Sequence, residues 1–471
     1  MTRASALVLA LSGALLAPRL ALGKPSQVSA PDPSLEKPSQ VSAPEPSTTT
    51  LVDHPDDSAF FVGGQANAIY QYHPTFPAAY DGPNSLPARS DGIASYVLTL
   101  YLGAQVTKTT ELFFDGEMAA GGGIGSALGL AGFTNLDVVR NPTLGSNPYV
   151  ARLQIRQTIP LSSRMVEATR GHLSMATRVP ETRLEIRAGK VSTADFFDVN
   201  GVGSDSHRQF MNWTACSNGA YDYAADTRGY TYGAMVTLES TNVALRLGVM
   251  LMPTIANGLD LDWHLDKAHG DNLELELRPR LLRGRFGALR LLGYANHANM
   301  GSYREAIDAF ERHEDPRPTI EAHRKPGRVK YGVGLNLEQE LTSALRVFAR
   351  AGWNEGAYES FAFTEVNDTV ALGGDLRGEF YRRADDKFGL AFISNGISED
   401  HQRYLALGGR GFVLGDGALR YGREMIVEAY YDARLYRGIS SGLDVQLVAN
   451  PGYNRDRGPV AVFSARGHIE F

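Results

Sequence analysis

The chain ends Pro459-Val-Ala-Val-Phe-Ser-Ala-Arg-Gly-His-Ile-Glu-Phe471. Ala461, Phe463, Ala465, Ile469 and Phe471 share one parity, and Ser464, Arg466, His468 and Glu470 share the other. Side chains on a strand alternate between faces, so this stretch makes a strand with one apolar and one charged face. A strand that stops at the chain end leaves an open edge unless a neighbour covers it. Pairing of the last strand with the first, in a closed barrel, removes that edge.

The remaining sequence repeats the pattern. Segments of about ten alternating residues suit a tilted bilayer crossing. Sixteen are expected, near 58–72, 93–106, 109–119, 149–160, 181–192, 229–239, 242–252, 271–282, 285–296, 328–340, 344–355, 369–381, 386–395, 421–435, 440–450 and 459–471. Short links alternate with long ones rich in Gly, Asn, Asp and Pro. This is the signature of short periplasmic turns and long extracellular loops. The link from Leu161 to Pro180 breaks the alternation, and its sequence suggests a small helix. The fold class expected is all-β: a transmembrane antiparallel barrel of about 16 strands.

The termini and composition agree. Arg3 followed by the apolar run Ala6–Ala17 and small residues near Gly23 reads as a signal peptide, 1–23. Residues 24–57 repeat KPSQVSAP at Lys24 and Lys37, a Pro/Ser-rich periplasmic segment expected to be disordered. The barrel domain is then 58–471. No later apolar run reaches the ~20 residues of a helical span. The single cysteine, Cys216, excludes an internal disulfide, and a net charge of -6 on 471 residues argues against a nucleic-acid partner.

Facing follows from parity. Ala151, Leu153 and Ile155 oppose Arg152, Gln154 and Arg156. Leu184, Ile186 and Ala188 oppose Arg183, Glu185 and Arg187. Leu273, Leu275 and Leu277 oppose Glu274, Glu276, Arg278 and Arg280. Leu345, Val347 and Ala349 oppose Arg346 and Arg350. Charged faces cannot meet lipid, where a central Arg costs roughly 2–4 kcal/mol, so they are assigned to an aqueous lumen. Tyr70, Tyr72, Tyr101, Tyr230, Tyr232, Tyr331, Phe380 and Phe471 are assigned to interfacial girdles.

An anion or cation pore calls for a one-sign ring. The expected lining mixes signs, which suits a polar neutral solute such as a sugar. Arg152, Arg156, Arg183, Glu185, Arg187, Glu274, Glu276, Arg278, Arg346 and Arg350 are the candidate contacts. Two other readings of the Arg abundance stay open: base composition, and Arg–Glu pairs that simply brace the wall. The loop from Ser192 to Arg228 is expected to fold inward and narrow the channel. Trp213 is its candidate stacking platform, while packing against the wall is the plainer reading for most of its aromatic rings. Asp195, Asp198, Asn200 and Asp205 miss the spacing of a calcium loop. No nucleophile–base set or dinucleotide motif is present, so neither an enzyme, a metal nor a cofactor is expected.

GPNSL at Gly82, ELFFDGEMAAGGGIG at Glu111, GLAGFTN at Gly129, FFDVN at Phe196, QFMNW at Gln209, DYAADTRGYTYGA at Asp222, RAGWNEG at Arg350 and NPGYNRDRGPV at Asn450 together resemble the carbohydrate-selective porins of the OprB type. The resemblance implies an outer-membrane channel of a Gram-negative bacterium for passive diffusion of glucose and other sugars. Its partners would be small sugars, outer-membrane lipid and the barrel assembly machinery, engaged through the strand ending in Phe471. A homo-oligomer is compatible with it. The alternatives are an outer-membrane lipid hydrolase and a closed structural barrel.

Deleting Phe471 is expected to reduce assembled barrel far more than it alters the selectivity of the protein that does insert. Heat-modifiable band intensity, set against liposome swelling, checks this.

Overall fold

The computed structural model describes residues 50–138 and 144–471; the stretch read as a signal peptide, 1–23, and the repeat-bearing segment up to residue 49 lie outside them. Sixteen antiparallel strands close into one barrel. They are β1 (Phe60–His73), β2 (Asp91–Gln105), β3 (Thr110–Gly121), β4 (Tyr149–Pro160), β5 (Arg183–Val191), β6 (Thr231–Glu239), β7 (Val243–Leu251) and β8 (His269–Leu277). They continue with β9 (Gly287–Met300), β10 (Lys325–Glu340), β11 (Leu345–Asn354), β12 (Asp368–Gly378), β13 (Arg383–Gly396), β14 (Glu424–Tyr436), β15 (Ile439–Ala449) and β16 (Val460–Glu470). β1 pairs with β16 from Gln65↔Glu470 to Tyr72↔Phe463, so the closure expected from the C-terminal stretch is present. Phe471 carries it one step further: its N–H donates to Gly64 O at 2.9 Å, and Gly64 N–H donates back at 2.8 Å.

The outer wall is an apolar belt. Leu98, Leu100 and Leu102 on β2, Leu245, Leu247 and Val249 on β7, and Val333, Leu335 and Leu337 on β10 are all exposed on it. Their strand neighbours of opposite parity are buried inside the barrel.

Five expectations are corrected. Tyr101 shares parity with Val97 and Thr99, so it faces inward and stacks on His172, with ring centroids 4.6 Å apart. Tyr230 also points inward, its hydroxyl on Glu117. Ala151 is wholly buried, because the β3–β4 register shifts between Asp115↔Arg152 and Gly116↔Val150. One extra residue at a bulge reverses the parity rule locally. The long link after β4 holds a two-stranded ribbon, Met165–Glu167 with Arg178–Pro180, instead of a helix. Arg280, assigned to the lumen, is exposed at the turn beyond β8.

The lumen is filled across much of its width. The β5–β6 loop folds in, as expected, and so do residues 129–136 of the β3–β4 loop and 360–366 of the β11–β12 loop. Phe133, Phe210, Trp213, Tyr221 and Phe363 pack there in one apolar cluster. Trp213 lies 5.3 Å from Phe133 and 6.1 Å from Phe363, centroid to centroid. Asn212 caps the short helix α1 (Trp213–Cys216) by accepting from Thr214 N–H, and it donates to Gly132 O at 2.7 Å and Gln446 Oε1 at 3.0 Å. Where the loop meets β11, a Cβ on Gly352 would stand 2.0 Å from Asn218 Oδ1.

At the long-loop end, α2 (Tyr303–Glu311) and α3 (Glu399–Ala406) are capped by Ser302 and Ser398. They cover a second cluster that includes Tyr303, Ile307, Tyr404 and Leu405.

Loop backbone inside a barrel needs hydrogen-bond partners. Wall carboxylates supply them. Glu424 accepts from Ala131, Gly132 and Gly452 N–H at 3.1, 2.6 and 2.8 Å, and Glu428 from Met211 N–H at 2.6 Å. Glu274 accepts from Asp198 N–H and Glu338 from Gly201 N–H, both at 2.7 Å. Replacing Glu424 by Ala strands three buried amides, each worth about 1–3 kcal/mol. The denaturant midpoint of E424A in detergent is expected to fall well below that of the wild type, while E424Q, which keeps one acceptor oxygen, falls less.

Candidate functional site

Three cavities lie on one side of the filled lumen, against β1–β4 and β16. A central cavity of about 260 Å³ is bounded by Glu117 of β3, Tyr149 and Arg152 of β4, Asp195, His207 and Arg228 of the β5–β6 loop, and Asp137. Trp213, Phe197, Tyr223 and Phe363 form its apolar back. Toward the long-loop end it shares Ala119, Asp137, Val138 and Arg228 with a vestibule of about 270 Å³. At the short-turn end a third cavity, about 410 Å³, is lined by Asp53, His54, Tyr101, Arg170, His172 and Glu470.

Arg152 is the hub of the central cavity. Its guanidinium grips Asp195 with two bonds of 2.7 Å and Asp115 with one of 3.0 Å. It also lies 5.3 Å from the Tyr230 ring centroid. Tyr149 and Tyr230 donate their hydroxyls to Glu117 at 2.6 and 2.9 Å. Arg228 lies over the Tyr149 ring at 3.9 Å. The cavity therefore presents both signs of charge within a few ångströms, each tied to a partner, beside aromatic faces.

Below it, the ribbon after β4 is pinned into the mouth. Arg170 donates to Ser58, Phe60 and Met175 carbonyls at 2.8–2.9 Å. Met175 is buried with Phe61 and Phe113. His172 lines the lower cavity, stacked on Tyr101. Burial, reinforced by the Arg152 guanidinium, pushes its pKa down to about 4, so it is neutral at ordinary pH.

The other candidates from the sequence divide into two groups. Arg156, Arg183, Glu185 and Arg187 lie beside the ribbon. Arg156 bridges Glu111 and Glu185 at 2.8 and 2.7 Å, and Arg183 holds Glu185 at 2.6 Å. Arg187 donates to Leu173 O at 2.9 Å and lies over the Phe196 ring. Glu274, Glu276 and Arg278 form a buried lattice with Arg246 and Arg290 on the far wall. Arg346 pairs with Asp375, and Arg350 grips Asp198 and Ser204 of the inward loop. Those far-wall groups line none of the three cavities.

Parity on β3 carried a usable signal for Asp115 and Glu117, which alternate with Phe114 and Gly116. Nothing periodic marks Asp137, His172 or His207, which sit in connections.

A family model of the carbohydrate-selective porins, OprB family, matches residues 102–471. The chain belongs to that family. Among solved structures, the porin is similar to OprB of Pseudomonas putida in a high-pH structure, with TM-score 0.66 at 14% identity, covering 88% of this chain and 94% of that one. It is also similar to the outer-membrane channel DcaP of Acinetobacter baumannii, with TM-score 0.48, 10% identity and coverage of 88% and 97%. A triple mutant of the Rhodopseudomonas blastica porin gives 0.44, 9%, and 88% and 100%. At these identities the likeness is one of fold. No curated protein matches the sequence. The porin is a channel of the Gram-negative outer membrane, so its short turns face the periplasm and its long loops the exterior.

One ion pair of the central cavity joins two loops. His207 Nε2 lies 3.1 Å from Asp137 Oδ1, and its ring stacks on His468, with centroids 5.7 Å apart. Burial acts to lower the pKa of His207, but the Asp137 carboxylate, helped by Asp205 and opposed by Arg466, outweighs it and raises it to about 9. The raised value means the ion pair is fully present below about pH 6.5 and is lost as pH rises through about 9. Single-channel current is expected to shift across that window in the wild type and not in H207Q. A wild-type current that is flat from neutral to alkaline pH contradicts this.

Proposed function

We propose that the porin carries neutral sugars passively from the outer vestibule, through the central cavity and past Arg152, His172 and Tyr101, into the periplasm. The observation that carries this reading is the central cavity itself. Arg152 is tied to Asp195 and Asp115 and His207 to Asp137, while Glu117 is held by tyrosine hydroxyls and Arg228 lies over the Tyr149 ring, so both signs face the space together and neither an anion nor a cation gains much on entry. Hydroxyls of a sugar find donors on Arg152 and Arg228 and acceptors on Glu117 and Asp195. The faces of Trp213, Phe197, Tyr223 and Phe363 behind them suit the apolar side of a sugar ring. A guanidinium offers a fixed fork of donors, which matches adjacent hydroxyls. Each contact must be weak enough for release.

In this reading Arg152 contacts solute, and Arg156, Arg183, Glu185 and Arg187 shape the passage by holding the ribbon. Glu274, Glu276, Arg278, Arg346 and Arg350 act on the channel by holding the inward loop and the far wall, and Trp213 backs the cavity. Contacts with outer-membrane lipid follow from the apolar belt, and engagement of the assembly machinery through the strand ending in Phe471 is part of the proposal. So is export by a signal peptide at 1–23, followed by a periplasmic segment. The closed structural barrel draws support from the filled lumen, and planar-bilayer recordings without conductance would favour it.

Liposome swelling tests the sugar reading. Glucose is expected to enter several-fold faster than a charged amino acid of similar size. Equal rates would overturn the selectivity. R152A is expected to narrow that preference by removing the central donor, and R187A to raise conductance by loosening the ribbon.

A further inference from the structure

The outer wall carries a group that the transport pathway does not use. His269 at the start of β8 and His297 near the end of β9 are directly opposite in register. Asp271 follows two residues after His269, on the same face. That face is the outer one: Leu273, of the same parity on β8, and Leu291, of the same parity on β9, are both exposed on the belt. Both histidines lie at the long-loop end of their strands. Tyr331, exposed on β10 opposite Ala295, stands one outward position below His297. The group therefore sits at the upper rim, above the aromatic level of the belt, where headgroups and water replace acyl chains.

The geometry is that of a ligand set. Ligand atoms of the three side chains all lie within 4.8 Å of one another. Asp271 Oδ2 is 3.4 Å from His269 Nε2 and 3.9 Å from His297 Nε2. The imidazoles are stacked, with centroids 4.3 Å apart at 15°. A tetrahedral zinc with bonds of about 2.0–2.1 Å sets neighbouring donors about 3.3 Å apart, so the two near-parallel rings turn about their side-chain bonds to aim both nitrogen lone pairs at one ion. The side chains are 20%, 50% and 30% exposed for His269, Asp271 and His297, open enough for an ion to enter. Strand pairing fixes the two histidine Cα positions opposite each other, so only side-chain rotations remain to be made on binding.

We propose that His269, Asp271 and His297 bind a borderline divalent ion, with Zn²⁺ as the type case, on the outer wall at the extracellular rim. Two imidazoles and one carboxylate select Zn²⁺, Ni²⁺ or Cu²⁺ over Ca²⁺ and Mg²⁺, which prefer all-oxygen sites. Three protein ligands leave a fourth position for water or an oxygen of a neighbouring headgroup. The sequence hid this group because strand pairing, not spacing along the chain, brings the histidines together.

The test uses the full porin in detergent, without an affinity tag, stripped with chelator and titrated with Zn²⁺ by calorimetry. Because the chain has 11 histidines, the comparison with variants decides. The wild type is expected to bind one more Zn²⁺ than the H269A/H297A double variant, or to bind it at least tenfold more tightly. D271N should lie between them. Heat-modifiable migration and sugar-induced swelling should be unchanged in all three proteins, which separates this site from the channel. Co²⁺ should give the intense visible absorption of a four-coordinate site in the wild type and lose it in the double variant. Equal Zn²⁺ binding by wild type and double variant, or displacement of Zn²⁺ by a modest excess of Ca²⁺, would overturn the proposal.

Discussion

The structure depends on how the inward-folded loops satisfy their backbone. A sixteen-stranded barrel encloses more space than its own side chains fill. This porin fills it with loop, and loop brings bare amides and carbonyls into a place of little water. Buried charged wall residues answer that demand. Glu424, Glu428, Glu274 and Glu338 take amide protons, while Arg350 and Arg466 donate to carbonyls of the β5–β6 loop. Asp222, within the loop, gathers the amides of Phe361, Ala362 and Phe363 and the ammonium of Lys330. Charge-assisted hydrogen bonds of this kind are stronger than neutral ones, and losing one partner leaves a buried charge uncompensated.

This accounts for where the family resemblance is concentrated. Asp198 of FFDVN receives Asn218 N–H and the Arg350 guanidinium. Asn212 of QFMNW joins three segments. Asn454 and Arg457 of NPGYNRDRGPV hold Tyr80 and Asp81 of the first long loop. Residues of these three stretches fasten loop to wall, and Phe197 and Trp213 beside them also line the central cavity.

The strands were legible in the sequence because lipid on one side and anything polar on the other impose a period of two. All sixteen were placed, with boundaries a few residues off. The same rule could not distinguish a polar face turned to water from one turned to another segment of backbone. Arg346 and Arg350 look like channel lining by parity, yet they pair with Asp375 and Asp198. Ala151 defeated the rule where a bulge inserts one residue. Asp137 and His207 meet through two loops far apart in sequence, and no local pattern encodes that meeting.

The off-centre cavities divide the molecule by its tolerance to change. Strands β8–β13 contribute no side chain to the three cavities, and their inward faces are committed to ion pairs and loop attachment. Exchanges that reshape the cavities therefore fall in a narrow sector: β2–β4, the near part of the β5–β6 loop, and the ribbon beneath it. Exchanges there act on the cavities directly, while exchanges in the opposite half act on the packing that holds the inward loops. The cavity lining can change without renegotiating the architecture that supports it.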